Sequence, residues 1–311
     1  MSFIAVLLAL LIEQVRPLAF NNPVHAGLRA WARLVRRNMD AGQQAHGWLA
    51  WAGAAAGPAV LAFTLHLVFS RVSIVLEFAW VVLTLYVTLG FRQFSHHFTD
   101  IRQALEAGDE ISARQGLAEW LRVDVSSLPR AELLRQVIAH SILAAHRHVF
   151  GVLLTFLVGW WLGLGPAGAI LYRMAEYLSR NWRQRPDGTP SAALTAAASQ
   201  AWQWVDFIPA RATGLGFAVV GNFEEALASW RSETERHGEG NDGVLLATTA
   251  GALNVRLSAR LESLDPEEVG DAGSRAEPQL AHLASAVGLV WRTVLLWMFL
   301  LAMLMLAMLN S

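Results

Sequence analysis

Apolar runs of bilayer length alternate along this chain with polar runs of helical period. The plainest is the last. From Ala284 to Ser311 the only charge is Arg292, and a helix over Ala284–Leu309 would measure about 39 Å against a hydrocarbon core of about 30 Å. Trp48–Phe69 is a second span, with Gly57-Pro58 as a kink that membrane helices tolerate. Val72–Phe91 is a third, and only Ser70 and Arg71 separate the two, which predicts a tight helical hairpin. Phe3–Ile12 is shorter and reaches Phe20 as a crossing if Arg16 snorkels. Val149–Leu171 is apolar but broken by Gly159, Gly163, Gly165 and Pro166.

The polar stretches read as helices and turns. Leu18–His46 is amphipathic and basic. Arg92–Gly108, Asp109–Val123 and a segment running from Pro129 towards the membrane have helical period, with Gly108 as a stop and Asp109 and Ser126 as N-caps. Asp187–Pro190 is a turn, Ala192–Trp204 a small-residue helix, Arg231–Gly243 a polar loop, and Leu264–Pro278 an acidic segment. The expected fold is all-α: a polytopic membrane protein with about four transmembrane helices, a re-entrant hairpin and cytoplasmic helices. Five segments follow: N-terminal membrane helices with a basic connector (1–91), a cytoplasmic helical segment (92–148), the hairpin (149–172), a second cytoplasmic segment (173–283) and the last span (284–311).

Composition agrees with a membrane protein. Hydrophobic residues make up 54% and charged residues 16%, against about 25% charged in soluble domains. Cysteine is absent, which excludes disulfides and thiolate metal sites. All 24 basic residues are arginine, so no lysine can grip a nucleotide phosphate, and the net charge of −1 gives no support for nucleic-acid binding. The N-terminus lacks a basic n-region and a small-residue cleavage site and reads as a retained segment. Five arginines lie in Arg16–Arg37 and seven in Arg92–Arg147. Basic segments stay cytoplasmic, so the two large loops face inward and both termini outward in a bacterial inner membrane. Val149–Leu171 must then enter and leave on one side. The partners expected are the lipid bilayer, an anionic small molecule and a second copy of the chain.

Ionisable groups at membrane depth are Glu13, His66, Glu77 and Arg292, and such groups are functional candidates by default. Arg16 lies one turn from Glu13 and can pair with it. A transporter or assembly subunit would use Glu13, Glu77 and Arg292. The histidines His96, His97, His140, His146 and His148 lack the i,i+4 spacing of a helical zinc site, so no metal is expected from them. The densest polar constellation is Asp206-Phe207-Ile208-Pro209-Ala210-Arg211. An acid and a proline at a helix start are an ordinary N-terminal device, which leaves Arg211 unexplained. Ala250–Leu257 reads as a small-residue packing face.

The order of these motifs resembles the superfamily that joins adenosylcobinamide-phosphate synthase (CobD/CbiB) with AmpE. Asn22-Pro23-Val24 resembles an early His-Pro-Val. Ala104-Leu105, Gly108-Asp109 and Ala113-Arg114 resemble a series in the synthases. Gly165–Ala169 with Tyr172-Arg173, Ile208–Arg211, and Ala250–Leu253 with Val255-Arg256-Leu257 are similar to later motifs. The synthases carry a set of carboxylates suited to Mg²⁺-nucleotide chemistry. Here His146-Arg147-His148 replaces an acidic run, Glu176-Tyr177-Leu178-Ser179 replaces an Asn-x-x-Asp helix, Trp202-Gln203 replaces an acidic pair, Leu246 replaces a last acid, and Val123-Asp124 keeps half of an Arg-Asp pair. Magnesium usually takes one or two protein carboxylates. With most acids gone, the resemblance points to an AmpE-like protein that senses or transmits a signal without turnover and needs no cofactor. Its ligand would be an anion held by Arg173, Arg211, Asn254 and Arg256, with Asp206, Asp124 and Glu176 completing the candidate set. No catalytic residue is assigned. The alternative is a divergent cobalamin-biosynthesis enzyme, an ATP-dependent ligase joining an aminoalcohol phosphate to a corrinoid acid with Mg²⁺ and ATP. That reading requires three carboxylates around one cavity.

Overall fold

The computed structural model describes residues 2–16, 18, 22–183, 190–234, 240–257 and 275–309. Fourteen α-helices are described. They are α1 Ser2–Val15, α2 Pro23–Met39, α3 Gln44–Val72, α4 Ile74–Thr88, α5 Phe91–Glu106, α6 Glu110–Leu121, α7 Arg130–Ala145, α8 Gly151–Trp161, α9 Ala167–Asn181, α10 Ala192–Val205, α11 Phe207–Val220, α12 Phe223–Glu233, α13 Asn241–Leu253 and α14 Leu280–Leu309. A π-helical turn, His146–Phe150, joins α7 to α8. Among the described residues there is no strand, only the single bridge Val255–Ala276.

Three helices are long and apolar enough to cross a bilayer: Gln44–Val72, Arg130–Trp161 and Leu280–Ala307. The chain is thus an all-α membrane protein. Helices α1, α4 and α11 are apolar but shorter. At about 1.5 Å per residue, the 15 residues of α4 reach about 22 Å, short of a full hydrocarbon core. The helix through α7 and α8 was not expected to be continuous. The π turn carries the helical path through His146-Arg147-His148, where the sequence alone suggests a boundary.

Local signals explain most element ends. Asp109 caps α6 by accepting from the Ser112 N–H, and Ser73 caps α4 by accepting from Val75. Asn22 caps α2 and Asn222 caps α12. Gly108 stops α5 in a left-handed conformation, φ +78°. Three expectations are corrected. Ser126 is not an N-cap: it lies in a turn where its own N–H donates to Asp124, and α7 starts after Pro129. The loop expected from Arg231 starts later, because α12 continues to Glu233, and it ends earlier, because α13 starts at Asn241. The last helix begins at Leu280, four residues before the apolar run. The expected turn at Asp187–Pro190, most of the acidic segment Leu264–Pro278 and the extension of the first span towards Phe20 lie outside the described residues.

Two compact units divide the chain discontinuously: Met1–Gly90 with Arg147–Pro209, and Phe91–His146 with Ala210–Ser311. In the first unit α3 packs on α2, α4, α9 and α10, and α8 pairs with α9. Its core is built around small residues: Ala32, Ala50, Ala54, Ala55 and Ala198 meet Val35, Met174, Leu178, Trp182 and Leu194. Alanine at these crossings lets helix backbones approach closely, which is how helices associate where lipid removes the hydrophobic drive. In the second unit α7 packs on α5, α13 and α14, and α12 pairs with α13. There Gly251 lies so close to Glu225, Ala226 and Ser229 that a methyl group would overlap them.

Candidate functional site

Helix α9 organises a polar cluster in the first unit. Tyr172, Glu176 and Arg180 recur every four residues and so share one face. Arg173 stands beside them. Tyr172 is fully buried, and its hydroxyl donates to Asp206 Oδ1 at 2.8 Å. Its ring packs against Trp202 at 5.2 Å. A methyl group on Gly151 would overlap the Tyr172 phenol, so this glycine is what lets the ring sit against α8.

Asp206 has no exposed surface and lies where α10 ends and α11 begins. Pro209 follows in the first turn of α11, and a carboxylate before a helix start is favoured by the helix dipole. Glu176 takes Arg173 Nη1 at 3.4 Å on one oxygen and Arg180 Nη1 at 3.3 Å on the other. Arg173 Nη1 also donates to the Arg147 carbonyl of the π turn at 3.4 Å. Arg147 and Glu176 both lie within electrostatic reach of Tyr172. Burial pulls Arg180 below its ordinary pKa, Glu176 opposes that pull, and the charges of Arg147, Arg173 and Arg183 add to it. Arg173 and Arg180 thus both pair with Glu176, and Arg147 and Arg183 lie within electrostatic reach of Arg180. Planar donors grouped in this way suit a phosphate or carboxylate ligand.

His25 borders the cluster on α2. Its Nε2–H donates to the Val87 carbonyl at 2.9 Å, and its Nδ1 accepts from the Asn22 side-chain amide at 2.9 Å. Those two bonds require the neutral ring. Burial lowers its pKa most, the Val87 carbonyl opposes this, and the charges of Arg173 and Arg29 lower it further.

Of the seven ligand candidates, the structure brings Arg173, Glu176 and Asp206 together. The other four lie in the second unit. Arg211 donates to Asn241 Oδ1 at 3.0 Å. Asn254 ends α13 in a left-handed conformation, φ 51°, which asparagine tolerates. Arg256 pairs its backbone N–H with Ala276. Asp124 is exposed and accepts from the Ser126 N–H, which holds its carboxyl below the usual range. Tyr172, Arg147 and Arg180 were not among the candidates. The four-residue repeat 172–176–180 on α9 is the signal that could have found two of them, whereas Arg147 depends on the π turn.

The membrane-depth charges are likewise accounted for. Glu13 is buried at 2% exposure, while Arg16 is exposed and makes no ion pair among the described residues, so the expected Glu13–Arg16 pair is not formed. Glu77 lies 3.9 Å from His66 Nε2, beside a shallow cleft lined by Ala5, Glu77, Phe78, Val81 and Trp160. Arg292 donates to the Val220 carbonyl at 2.8 Å, a cation at the C-terminal end of α11. Among the described residues no three of histidine, aspartate and glutamate gather as a metal site.

Comparison with known proteins corrects one expectation. Over 263 residues the chain is 28% identical to the "Cobalamin biosynthesis protein CobD" of Stutzerimonas stutzeri (strain A1501), covering 84% of this chain and 82% of that protein. It is 30% identical over 224 residues to the protein of the same name from Chromobacterium violaceum, covering 71% and 69%. A third, from Desulfotalea psychrophila, is 26% identical over 266 residues, covering 77% of each. No solved structure matches. An AmpE-like signalling role is overturned by these relatives, all of which bear a biosynthetic name. The CobD/Cbib protein family matches residues 2–290, and the chain belongs to that family.

Proposed function

We propose that this membrane protein acts in cobalamin biosynthesis as a ligase, joining an aminoalcohol phosphate to a corrinoid acid with ATP. The observation that carries this reading is the family match over nearly the whole chain. The three carboxylates expected around one cavity do not gather among the described residues, and the arginine cluster on α9 supports the reading in their place. Both the aminoalcohol phosphate and ATP bring phosphate charge, and forming an amide from a carboxylate needs that charge neutralised. Arg173 and Arg180, with Arg147 nearby, are the residues suited to do so. Glu176 holds two of these guanidiniums in place. The Tyr172–Asp206 bond fixes the junction of α10 and α11 against α9. We further infer a multi-pass plasma-membrane protein whose arginine-rich segments face the cytoplasm, from the arginine distribution.

Purified protein in lipid nanodiscs, supplied with ATP, a corrinoid acid and an aminoalcohol phosphate, should yield the amide-linked product by mass spectrometry. Folded protein that gives no product in the presence or absence of Mg²⁺ overturns the reading.

A further inference from the structure

Helix α2 carries three distinct faces. Leu28, Ala32, Val35 and Met39 pack into the core of the first unit. Arg29, Arg33, Arg36 and Arg37 fall in a second sector of about 100°. Val24, Trp31 and Leu34 occupy the third, and they are exposed at 48%, 39% and 52%. The helix contains no acid. Arg33, Arg36 and Arg37 make no ion pair among the described residues, and the acid just beyond them, Asp40, accepts from the Ser191 N–H.

The position of α2 along the chain matters as much as its composition. Four residues, Asp40–Gln43, join it to α3, a candidate membrane span. Arg36 and Arg37, in the last turn of α2, are therefore tethered to the N-terminal end of that span. The same end of α3 carries an aromatic group. Trp48 stacks on Trp204 with ring centroids 5.2 Å apart and meets Trp51 edge-on at 6.1 Å. Tryptophan collects where hydrocarbon meets headgroups. Exposed apolar side chains on one side of a helix, with Arg33, Arg36 and Arg37 making no ion pair among the described residues on another, at such a level, match an interfacial helix.

We propose that α2 is a binding surface for the headgroups of anionic phospholipid, with Arg33, Arg36 and Arg37 meeting lipid phosphate and Val24, Trp31 and Leu34 meeting acyl chains. Charge complementarity selects the occupant. Basic residues at a membrane surface are drawn to anionic lipid, and the attraction falls away over a Debye length. This inference is independent of the proposed ligase reaction.

The test uses the full chain in nanodiscs of phosphatidylcholine alone and of phosphatidylcholine with about one quarter phosphatidylglycerol. The anionic discs should raise Tm by about 3–6 °C. High salt should shrink that rise. Replacing Arg33, Arg36 and Arg37 together by glutamine should abolish it, replacing them by lysine should retain most of it, and Arg231→Gln on α12 should leave it unchanged. Equal Tm in the two lipid compositions overturns the proposal, as does a full rise in the glutamine variant. Inorganic phosphate added to phosphatidylcholine discs should not reproduce the effect; if it does, the surface is a site for free phosphate and not for lipid. If the glutamine variant fails to fold, native mass spectrometry of the lysine and unsubstituted proteins decides, through preferential retention of phosphatidylglycerol in both or in neither.

Discussion

The two compact units use arginine differently. In the first, Arg173 and Arg180 converge on Glu176, with Arg147 and Arg183 close enough to perturb Arg180. In the second, several arginines each close a piece of structure. Arg211 binds Asn241, Arg275 donates to Ser229 Oγ at 2.7 Å, and Arg292 binds the end of α11. A guanidinium whose donors point at carbonyls and neutral side chains is holding a fold. Guanidiniums gathered on one carboxylate, as Arg173 and Arg180 are on Glu176, are suited to an anion. Motif residues that look equivalent in the sequence thus divide into two classes once their partners are known.

That division can be attacked directly. The largest effects should come from Gly151→Ala and Gly251→Ala, which place a methyl group on the Tyr172 phenol and on α12 respectively. Each should cost about 3 kcal/mol in thermal or denaturant unfolding, the scale of overpacking a filled interior. If either substitution is neutral, the close approach it tests does not exist.

Next comes the contrast between two arginines. Arg173→Gln should lower ligase turnover by about 100-fold, the scale of losing a donor to developing charge, while Tm moves little. Arg211→Gln should leave turnover near normal and show its effect in stability. The division between units would collapse if the two variants lost turnover equally.

Tyr172→Phe should be milder. Removing the hydroxyl deprives buried Asp206 of one donor, at a cost of about 1–3 kcal/mol. Calorimetry of the variant against the unsubstituted protein reads it, and an unchanged Tm would mean that the Tyr172–Asp206 bond adds nothing.

The smallest effect is a pH dependence at His25. Its folded-state pKa lies below the ordinary 6.5, so the native form disfavours the proton. The contribution to stability is intact above that value and declines as pH falls through 6.5 and below, because the unfolded chain then binds more protons. Tm should fall gently between pH 7.5 and 5.5. His25→Gln should flatten that slope whatever its absolute Tm, and an identical slope in the variant refutes the assignment.

Much of this fold was legible because its signals are local. The α3–α4 hairpin follows from two apolar runs separated by a few residues, and Asp109 announces α6 with a side chain that reaches only to Ser112. The site was legible in part. Asp206 stood out in the densest polar constellation, and Arg173 in a motif of the resemblance. Their companions did not, because Arg147 looked like the loss of an acid and Tyr172 like one member of a short motif. The function was misread for the same reason. Counting missing carboxylates treats a site as a list of acids, whereas the structure pairs Arg173 and Arg180 with Glu176, and the relatives carry a biosynthetic name.

From its sequence alone, this chain is an all-helical membrane protein of the CobD/CbiB kind. Helical period and apolar length act over tens of consecutive residues, and the motif order is itself linear. Tertiary structure decided what the chain does with its polar residues. It carried α7 into α8 through a π turn, set Tyr172 against Asp206 across 34 positions, and left Arg33, Arg36 and Arg37 without an ion pair among the described residues. Each of those outcomes depends on which helices pack together. Burial and the partner a side chain finds, more than its identity, determine whether a charge stabilises the fold or awaits a ligand.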